Sequence, residues 1–166
     1  MTTGFEVRAY RPADEQAVWD VHEAALRSSP LAFVEEAAVD EDITDVESHY
    51  LESGGEFLVG ERTDGHDADR AVVAIGGYLP SEDVTSAVEI KRMRVHPEHQ
   101  RNGYARRILA ELERRASDDG FETAVLETIE PLEAAQAFYE NEGYSVVETT
   151  EDDATGVERY RYRKDL

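Results

Sequence analysis

Apolar residues follow two spacings along this chain, one typical of strands and one typical of helices. Alternating apolar and polar positions predict a strand over residues 4–10, and further short strand-like segments predict strands, in chain order, over 57–61, 71–79, 85–95, 123–128, 144–149 and 158–163. Apolar residues three or four positions apart predict helices from Pro12 to the break at Ser28-Ser29-Pro30, over 40–53, over 104–117, and from Pro131 to about Asn141. The resulting order, β-α-α-β-β-β-α-β-α-β-β, predicts one domain of the mixed α/β (α+β) class.

The fourth predicted strand changes phase midway. Val88 and Ile90 place its apolar side chains at even positions, whereas Met93 and Val95 place them at odd positions. Because successive strand residues point to opposite faces, a one-residue slip predicts a β-bulge. A strand buried on both faces, or one that ends near Lys91, would give the same pattern. A bulge would weaken pairing with the next parallel strand and leave backbone N–H and C=O groups available to a ligand.

A glycine-containing turn joins this strand to the clearest predicted helix, over His96-Pro-Glu-His-Gln-Arg-Asn-Gly103-Tyr-Ala105. Unpaired backbone N–H groups and the helix dipole favour an anion at such a helix start. Arg106 and Arg107 occupy the first turn, where cations are disfavoured unless an anion binds between them. Residues 91–115 carry eight basic and three acidic side chains, so their net charge is +5 and the rest of the chain carries −26. Pairing of these arginines with neighbouring surface acids is the alternative explanation.

Composition excludes several classes of site and partner. The 166 residues include 17 Lys+Arg, 38 Asp+Glu and no Cys, and the formal net charge is −21. Without cysteine there are no disulfides, thiolate metal ligands or cysteine nucleophiles. We do not expect so negative a chain to lie on nucleic acid or on an anionic membrane. No apolar run is long enough to span a bilayer, and the N-terminal residues show no secretory signal, so we expect a cytoplasmic protein.

The excess of acid has three interpretations: disorder, attraction of cationic substrates, or adaptation to high intracellular salt. A hydrophobic content of 40% and clear periodicity favour a folded chain. Lys91 and Lys164 are the only lysines among the 17 basic residues, and acids occur throughout the sequence rather than in one tail. These features favour a halophilic, acidic protein whose dense surface carboxylates keep it hydrated at high salt.

Salt adaptation predicts that the melting temperature rises between low salt and molar KCl. Counter-ions screen the repulsion among the surface carboxylates, so the fold should loosen when salt is removed. Thermal unfolding followed over a series of KCl concentrations measures this effect, and a melting curve that does not shift would contradict the interpretation.

Two motifs resemble those of the GNAT-type N-acetyltransferase superfamily. Gln100-Arg-Asn-Gly103-Tyr-Ala105 is similar to the Q/R-x-x-G-x-G/A pattern, and it comes after His96-Pro97, between a strand and a helix. Phe138-Tyr139-Glu-Asn-Glu-Gly143-Tyr144 is similar to the F/L-Y-x-x-x-G-F/Y signature. With the strand order, the resemblance covers roughly residues 4–163. It implies a single N-acetyltransferase domain over 1–166 with the acyl-CoA N-acyltransferase (GNAT) fold, in which a mixed, centrally splayed sheet has helices on both faces.

The resemblance implies acetyl-CoA as the cosubstrate. Backbone groups of Met93 and Val95 would hold the pantetheine and the thioester carbonyl. Backbone N–H groups from Arg101 through Arg106 would hold the pyrophosphate, with help from the side chains of those two arginines. The implied cofactor-binding residues are Met93, Arg94, Val95, Arg101, Asn102, Gly103, Tyr104, Ala105 and Arg106.

The implied chemistry is direct attack of an amine on the thioester, which needs a general base and an acid for the leaving thiolate. Tyr139 matches the family tyrosine that protonates the sulfur, and a tyrosine packed in the core is the alternative. Glu89, on the phase-changing strand, is the best candidate for the base, directly or through water, and Glu127 is a weaker one. The five histidines show no metal-ligand spacing, so we expect no metal.

One position departs from the commonest family pattern. Many relatives carry an asparagine about seven residues before the tyrosine, where it helps to hold the CoA arm, and this chain has Leu132 there. Either backbone contacts suffice or Glu133 or Gln136 substitutes for the missing side chain.

The expected function is transfer of an acetyl group from acetyl-CoA to a primary amine of a small molecule or peptide. The alternative is a catalytically inactive acyl-CoA-binding sensor or interaction module. Nucleotide binding is not expected, because the glycine loop lacks the Lys-Ser/Thr of a P-loop. The resemblance implies that residues 35–53 and 150–158 build the acceptor pocket. Polyamines, aminoglycosides, amino acid analogues and protein N-termini all stay open as acceptors. A homodimer that uses the strand of Tyr160 and Tyr162 also stays open.

Overall fold

The computed structural model of this protein describes residues 4–28, 41–63, 70–130 and 132–166. The strands are β1 (Phe5–Ala9), β2 (Glu56–Arg62), β3 (Ala71–Pro80), β4 (Ala87–Val95), β5 (Thr123–Ile129), β6 (Ser145–Glu151) and β7 (Glu158–Asp165). The α-helices are α1 (Glu15–Arg27), α2 (Glu41–Thr44), α3 (Tyr104–Asp118) and α4 (Glu133–Asn141). Short helical turns lie at Pro12–Asp14, Glu47–Leu51 and Pro97–His99. The order of strands and α-helices agrees with the prediction from periodicity.

The seven strands form one sheet in the order β1-β2-β3-β4-β5-β7-β6. Neighbouring strands run antiparallel except for β4 and β5, which are parallel. These two fully described strands pair at only three positions, from Ala87 opposite Thr123 to Glu89 opposite Val125. Beyond Glu89 no further pair joins them, so backbone groups of both strands border a gap. The predicted mixed sheet with a central splay is therefore confirmed.

The predicted β-bulge lies in β4. Ile75 and Gly77 of β3 are two residues apart, whereas their partners on β4, Arg94 and Lys91, are three apart. The additional residue is accommodated at Arg92, whose φ of 59° lies in the left-handed region. The residues of β4 that follow the bulge are half-buried rather than buried on both faces. The bulge therefore explains the change of phase, and the alternative explanations of that pattern are wrong.

Alternate residues of β2 divide the core into two layers. Leu58 packs in a cluster with Leu112 of α3, whereas Phe57 and Val59 pack in a second cluster with Val18 of α1. Because adjacent strand residues point to opposite faces, α3 and α1 cover opposite faces of the sheet. This confirms the prediction of helices on both faces. Each fully buried large apolar side chain contributes about 1.5–3 kcal/mol to this packing.

The weakly predicted helix over 40–53 is broken into two short pieces. α2 ends at Thr44, and a π-helical turn follows over Glu47–Leu51. Ile43 and Tyr50 are fully buried from these two pieces and join the α1 side of the core, which anchors the segment to the sheet. The predicted break at Ser29-Pro30 and the predicted helix start at Pro131 lie outside the described residues.

β7 lies inside the sheet, between β5 and β6. The side chain of Tyr162 is only 1% exposed, and the hydroxyl of Tyr160 donates to a carboxylate oxygen of Glu158 at 2.7 Å. The backbone of this strand is paired on both sides within the chain, so it offers no free edge to a second copy, and a homodimer stays a prediction. Within the described ranges, no helix is both long and apolar enough to cross a membrane.

Candidate active site

Two adjoining cavities open where β4 and β5 separate. The first, of about 440 Å³, extends from the bulged part of β4 to the start of α3, and we call it the loop cavity. The second, of about 560 Å³, lies between β4, β5 and the α2 segment, and we call it the acid cavity. Four residues line both cavities, namely Met93, Arg94, Ala135 and Tyr139. A molecule in one cavity can therefore meet a molecule in the other beside these residues.

The loop cavity is lined by most of the residues that the resemblance assigns to cofactor binding. Eight of the nine reach it, namely Met93, Arg94, Val95, Arg101, Gly103, Tyr104, Ala105 and Arg106. The exception is Asn102, whose side-chain amide donates to the carbonyl oxygen of His99 at 3.0 Å and so belongs to the turn itself. Asn102 holds the shape of the loop, and its side chain does not face the cavity.

The start of α3 provides a cradle of backbone N–H groups. Arg101 and Gly103 have φ values of 65° and 79°, and these two left-handed residues turn the chain sharply into the helix. The N–H of Arg107 donates to the carbonyl of Gly103 at 3.2 Å, which begins the helical pattern. The N–H groups from Gly103 to Arg106 precede that bond and have no intrahelical partner. Together with the helix dipole, they favour a bound anion such as a phosphate.

The two arginines of the first helical turn diverge. The side chain of Arg106 is 74% exposed, borders the loop cavity and pairs with Glu142 at 3.4 Å. The guanidinium of Arg107 donates to the carbonyl of Phe5 at 3.1 Å and lies 4.8 Å from the centre of the Phe5 ring. The two side chains therefore cannot hold one anion between them, contrary to expectation. Of the two, only Arg106 faces the loop cavity.

The alternative explanation of the basic segment is correct for its far end. Arg114 pairs with Glu111 and Asp118, and Arg115 pairs with Glu111 and Glu56. These arginines offset acids of α3 and Glu56 of β2. Nearer the cavities, Lys91, Arg92 and Arg106 also pair with acids, namely Glu89, Asp42 and Glu142, so the alternative explanation holds for much of the segment.

Tyr139 lies at the junction of the two cavities, on α4. Its side chain is 7% exposed, and its ring packs edge-on against Phe138 and Tyr144, 5.1 and 5.7 Å away between ring centres. Burial raises the pKa of its hydroxyl to about 12, although the charge of Arg94 opposes the shift. The hydroxyl therefore stays protonated at neutral pH and can act as a hydrogen-bond or proton donor. Tyr139 is therefore packed in the core and also lines the candidate site, so the two interpretations of this residue do not exclude each other.

The acid cavity contains both of the predicted base candidates. The carboxylate of Glu89 lies 3.5 Å from the ammonium of Lys91, and its side chain is 28% exposed. Glu127 accepts a hydrogen bond from Arg161 at 3.2 Å, and its side chain is 48% exposed. Glu89 is on β4 beside the splay, whereas Glu127 is held towards β7. The geometry therefore brings Glu89 deeper into the cavity than Glu127.

Further charged residues of the acid cavity were not identified from the sequence. Asp42 of α2 receives two hydrogen bonds from the guanidinium of Arg92, at 3.0 and 2.7 Å. Glu41 and His49 line the same wall. No local pattern in the acidic segment distinguishes Asp42 from its neighbours, since its partner is fifty residues away. Among the residues that the structure describes, four carboxylates and three Lys or Arg side chains line this cavity.

Of the two residues expected to replace the missing asparagine, neither Glu133 nor Gln136 is among the described residues that line the two cavities. Leu132 lies at the start of α4 and lines the acid cavity. The side-chain amide of Gln136 donates to the carbonyls of Ile129 and Glu130, at 2.9 and 3.2 Å, so it ties α4 to the end of β5. Of the two expected outcomes, reliance on backbone contacts fits this geometry better.

One group of side chains could hold a metal ion, although the spacing of the histidines in the sequence did not indicate a metal site. His96, Glu98 and His99 each offer a ligand atom within 4.8 Å of the others, because the turn Pro97–His99 is helical. However, Nδ1 of His96 accepts a hydrogen bond from the N–H of Glu98 at 3.2 Å. That nitrogen is therefore already engaged within the turn. The expectation of no metal stays a prediction.

Comparisons with solved structures show which fold this is. An acetyltransferase of the GNAT family from Staphylococcus aureus Mu50 superposes with a TM-score of 0.79, 16% identity, and coverage of 98% of this chain and 99% of that chain. yncA from Salmonella typhimurium, solved with its cofactor acetyl-CoA, gives a TM-score of 0.78 at 16% identity, covering 98% and 94%. The ribosomal-protein-S18-alanine N-acetyltransferase from Escherichia coli gives 0.73 at 16% identity, also covering 98% and 94%.

Comparison by sequence shows the family. A search of curated proteins found no match. The sequence model of the acetyltransferase (GNAT) family matches residues 17–144, from α1 to the end of the second motif. Because that match spans most of the chain, this protein belongs to the acetyltransferase (GNAT) family.

Proposed function

We propose that this chain, as one domain over residues 1–166, transfers an acetyl group from acetyl-CoA to a primary amine of a small molecule or peptide by direct attack. The position of Tyr139 is the main observation that supports this proposal. Its side chain lines both cavities, and its hydroxyl stays protonated. An acyl donor in the loop cavity would meet an amine from the acid cavity beside it. Acetyl-CoA supplies the activated acetyl group as a thioester.

The loop cavity fits a long ligand with phosphates at one end. The N–H cradle at Gly103–Arg106 suits the pyrophosphate, and the side chains of Arg101 and Arg106 add positive charge at the cavity mouth. Backbone groups of Met93 and Val95 border the gap between β4 and β5, where an amide-bearing arm can pair with them in place of the missing strand. The cavity thus offers a phosphate site and an extended edge in the required order.

The acid cavity fits the chemistry of the amine. The amine nitrogen forms a bond to the carbonyl carbon, the carbon–sulfur bond breaks, and the amine gives up a proton. Glu89 accepts that proton, directly or through water, because its carboxylate lies in the cavity beside the bulge. Tyr139 donates a hydrogen bond or proton to the leaving sulfur. The backbone N–H groups near the bulge are the donors available to the carbonyl oxygen as negative charge develops on it.

Replacing Glu89 by glutamine should lower kcat/KM for the amine about 10²-fold at pH 7, because a general base contributes roughly that much. The difference in kcat/KM between wild type and the Glu89 variant should become smaller as the pH approaches about 10, because an alkylamine is then deprotonated without a general base. Initial rates of thiol release over a pH series measure both effects.

Glu127→Gln is the matched control, since it removes a carboxylate from the same cavity. It should change kcat/KM less than about threefold, because Glu127 is already engaged by Arg161 at the more exposed side. Equal losses in the two variants, or a larger loss in the Glu127 variant, would contradict the assignment of Glu89 as the base.

A screen for thiol release from acetyl-CoA over a panel of amines tests the proposed function. The panel should include amino acids, peptide N-termini, aminoglycosides and polyamines, since the described residues that line the acid cavity carry charges of both signs. Molar KCl and low salt should both be used. At least one amine is expected to release thiol. Tight binding of acetyl-CoA without release by any amine would favour the catalytically inactive sensor instead.

A further inference from the structure

An ion pair joins the wall of the acid cavity to the bulge of β4. The guanidinium of Arg92 donates from Nε and Nη2 to the two oxygens of Asp42, at 3.0 and 2.7 Å. Both side chains are largely shielded from solvent, with 16% and 19% exposure. Two parallel hydrogen bonds fix orientation as well as distance, which a single point contact does not do.

The backbone at Arg92 does not explain why an arginine is there. Its φ of 59° lies in the left-handed region, which is unfavourable for residues with a Cβ atom and accessible to glycine without that penalty. The bulge could therefore form with glycine at this position. What arginine adds is the forked group that reaches Asp42, fifty residues earlier in the chain.

Asp42 is also fixed from the other side. The hydroxyl of Tyr50, a fully buried residue, donates to Oδ2 of Asp42. Burial would raise the pKa of Asp42, but the hydrogen bonds from Arg92 and Tyr50 outweigh it and lower that pKa below its ordinary value. The carboxylate is thus charged at neutral pH and held by groups from β4 and from the turn Glu47–Leu51.

We propose that Asp42 and Arg92 are positioning residues, which hold the α2 wall of the acid cavity at a set distance from the bulge so that the amine is aimed at the acetyl group. The proposal rests on the proposed function of the two cavities. Asp42 and Arg92 line the acid cavity and not the loop cavity, so we place their effect on the acceptor side. A misplacement of the wall by about 1 Å is enough to lower the rate markedly.

The double variant Arg92→Gly/Asp42→Asn tests this role without disturbing the bulge. Glycine keeps the left-handed backbone, and asparagine leaves no unpaired half-buried charge. The matched control is Arg8→Gln/Asp14→Asn. Arg8 and Asp14 form a second forked pair of similar exposure, at 2.8 and 2.9 Å, near the start of the chain and away from both cavities.

Steady-state kinetics with an amine found in the screen form the first measurement. The Arg92→Gly/Asp42→Asn variant should lose about tenfold or more in kcat/KM for the amine. Its dissociation constant for acetyl-CoA should stay within about twofold of wild type, because the cradle and the bulge are unchanged. The control variant should stay within about twofold in both quantities. An unchanged kcat/KM for the amine, or an equal loss of acetyl-CoA affinity, would overturn the proposal.

Hydrogen exchange provides a second measurement that needs no turnover. Backbone amides of residues 41–51 should exchange about threefold faster or more in the Arg92→Gly/Asp42→Asn variant, while those of 104–118 stay as in wild type. Unchanged exchange in 41–51 would contradict the positioning role. If wild type acetylates no amine, the proposed function fails, and hydrogen exchange alone still decides whether the pair holds the wall.

Discussion

Replacing Tyr139 by phenylalanine should lower kcat about 10²- to 10³-fold, because loss of a positioned acid has this order of effect. The ring contacts with Phe138 and Tyr144 remain, so the fold and the affinity for acetyl-CoA should change little. In wild type, the pKa of about 12 keeps this hydroxyl protonated across the working range, so its ionisation should not reduce the rate below about pH 11. Thiol-release kinetics and equilibrium binding of acetyl-CoA measure the two effects separately.

Tyr144→Phe is the control for this prediction. Tyr144 is a buried neighbour, but its hydroxyl points away from the site and donates to Glu113 at 2.7 Å. Loss of that hydrogen bond should cost about 1–2 kcal/mol of unfolding free energy and leave kcat within about threefold of wild type. If both variants lost kcat equally, the effect would come from aromatic packing, and the role assigned to Tyr139 would be wrong.

Replacing Gly103 by alanine should weaken acetyl-CoA binding about tenfold or more, with a smaller effect on kcat at saturation. No atom lies within 4 Å of the Cβ that alanine would add, so the cost is conformational and not steric. The φ of 79° is disfavoured for alanine by about 1–2 kcal/mol. Relief of that strain rotates the peptide groups that form the N–H cradle. Binding titrations with acetyl-CoA and with CoA measure the change.

Gly120→Ala is a closely matched control at the other end of α3. Gly120 also has a positive φ, 94°, and open space around its Cβ position. Both substitutions should therefore lower the unfolding free energy by a similar amount, about 1–2 kcal/mol. Only the Gly103 substitution should weaken acetyl-CoA binding. Equal affinities in the two variants would show that the helix start does not hold the phosphates.

The features visible in the sequence are those that local spacing determines. The bulge was predictable because Met93 and Val95 are out of phase with Val88, and a strand has a fixed two-residue repeat. The cradle was predictable because Gly103 stands between a strand and a helix. The order of strands and helices along the chain followed from the change between strand-like and helix-like spacing of apolar residues. The position of β7 inside the sheet depends on long-range pairing that no local pattern specifies.

The divergence of Arg106 and Arg107 was open to prediction from helix geometry. Adjacent residues on a helix do not share a face, so two consecutive arginines cannot both face one anion bound at its start. The other site residues that the sequence did not reveal depend on tertiary contacts. Asp42 lies in a run of acids, and its importance depends on Arg92, which the fold brings to it from β4. Likewise, a helical turn after β4 was needed to bring His96 and His99 together.

A structure of the protein with CoA bound shows whether the gap between β4 and β5 is the acetyl-CoA site. We predict that the pyrophosphate lies on the N–H groups of Gly103 to Arg106, that the arm follows Met93 and Val95, and that the sulfur is within hydrogen-bond distance of the Tyr139 hydroxyl. CoA bound outside the gap between β4 and β5, or bound there with its sulfur remote from Tyr139, would contradict this prediction.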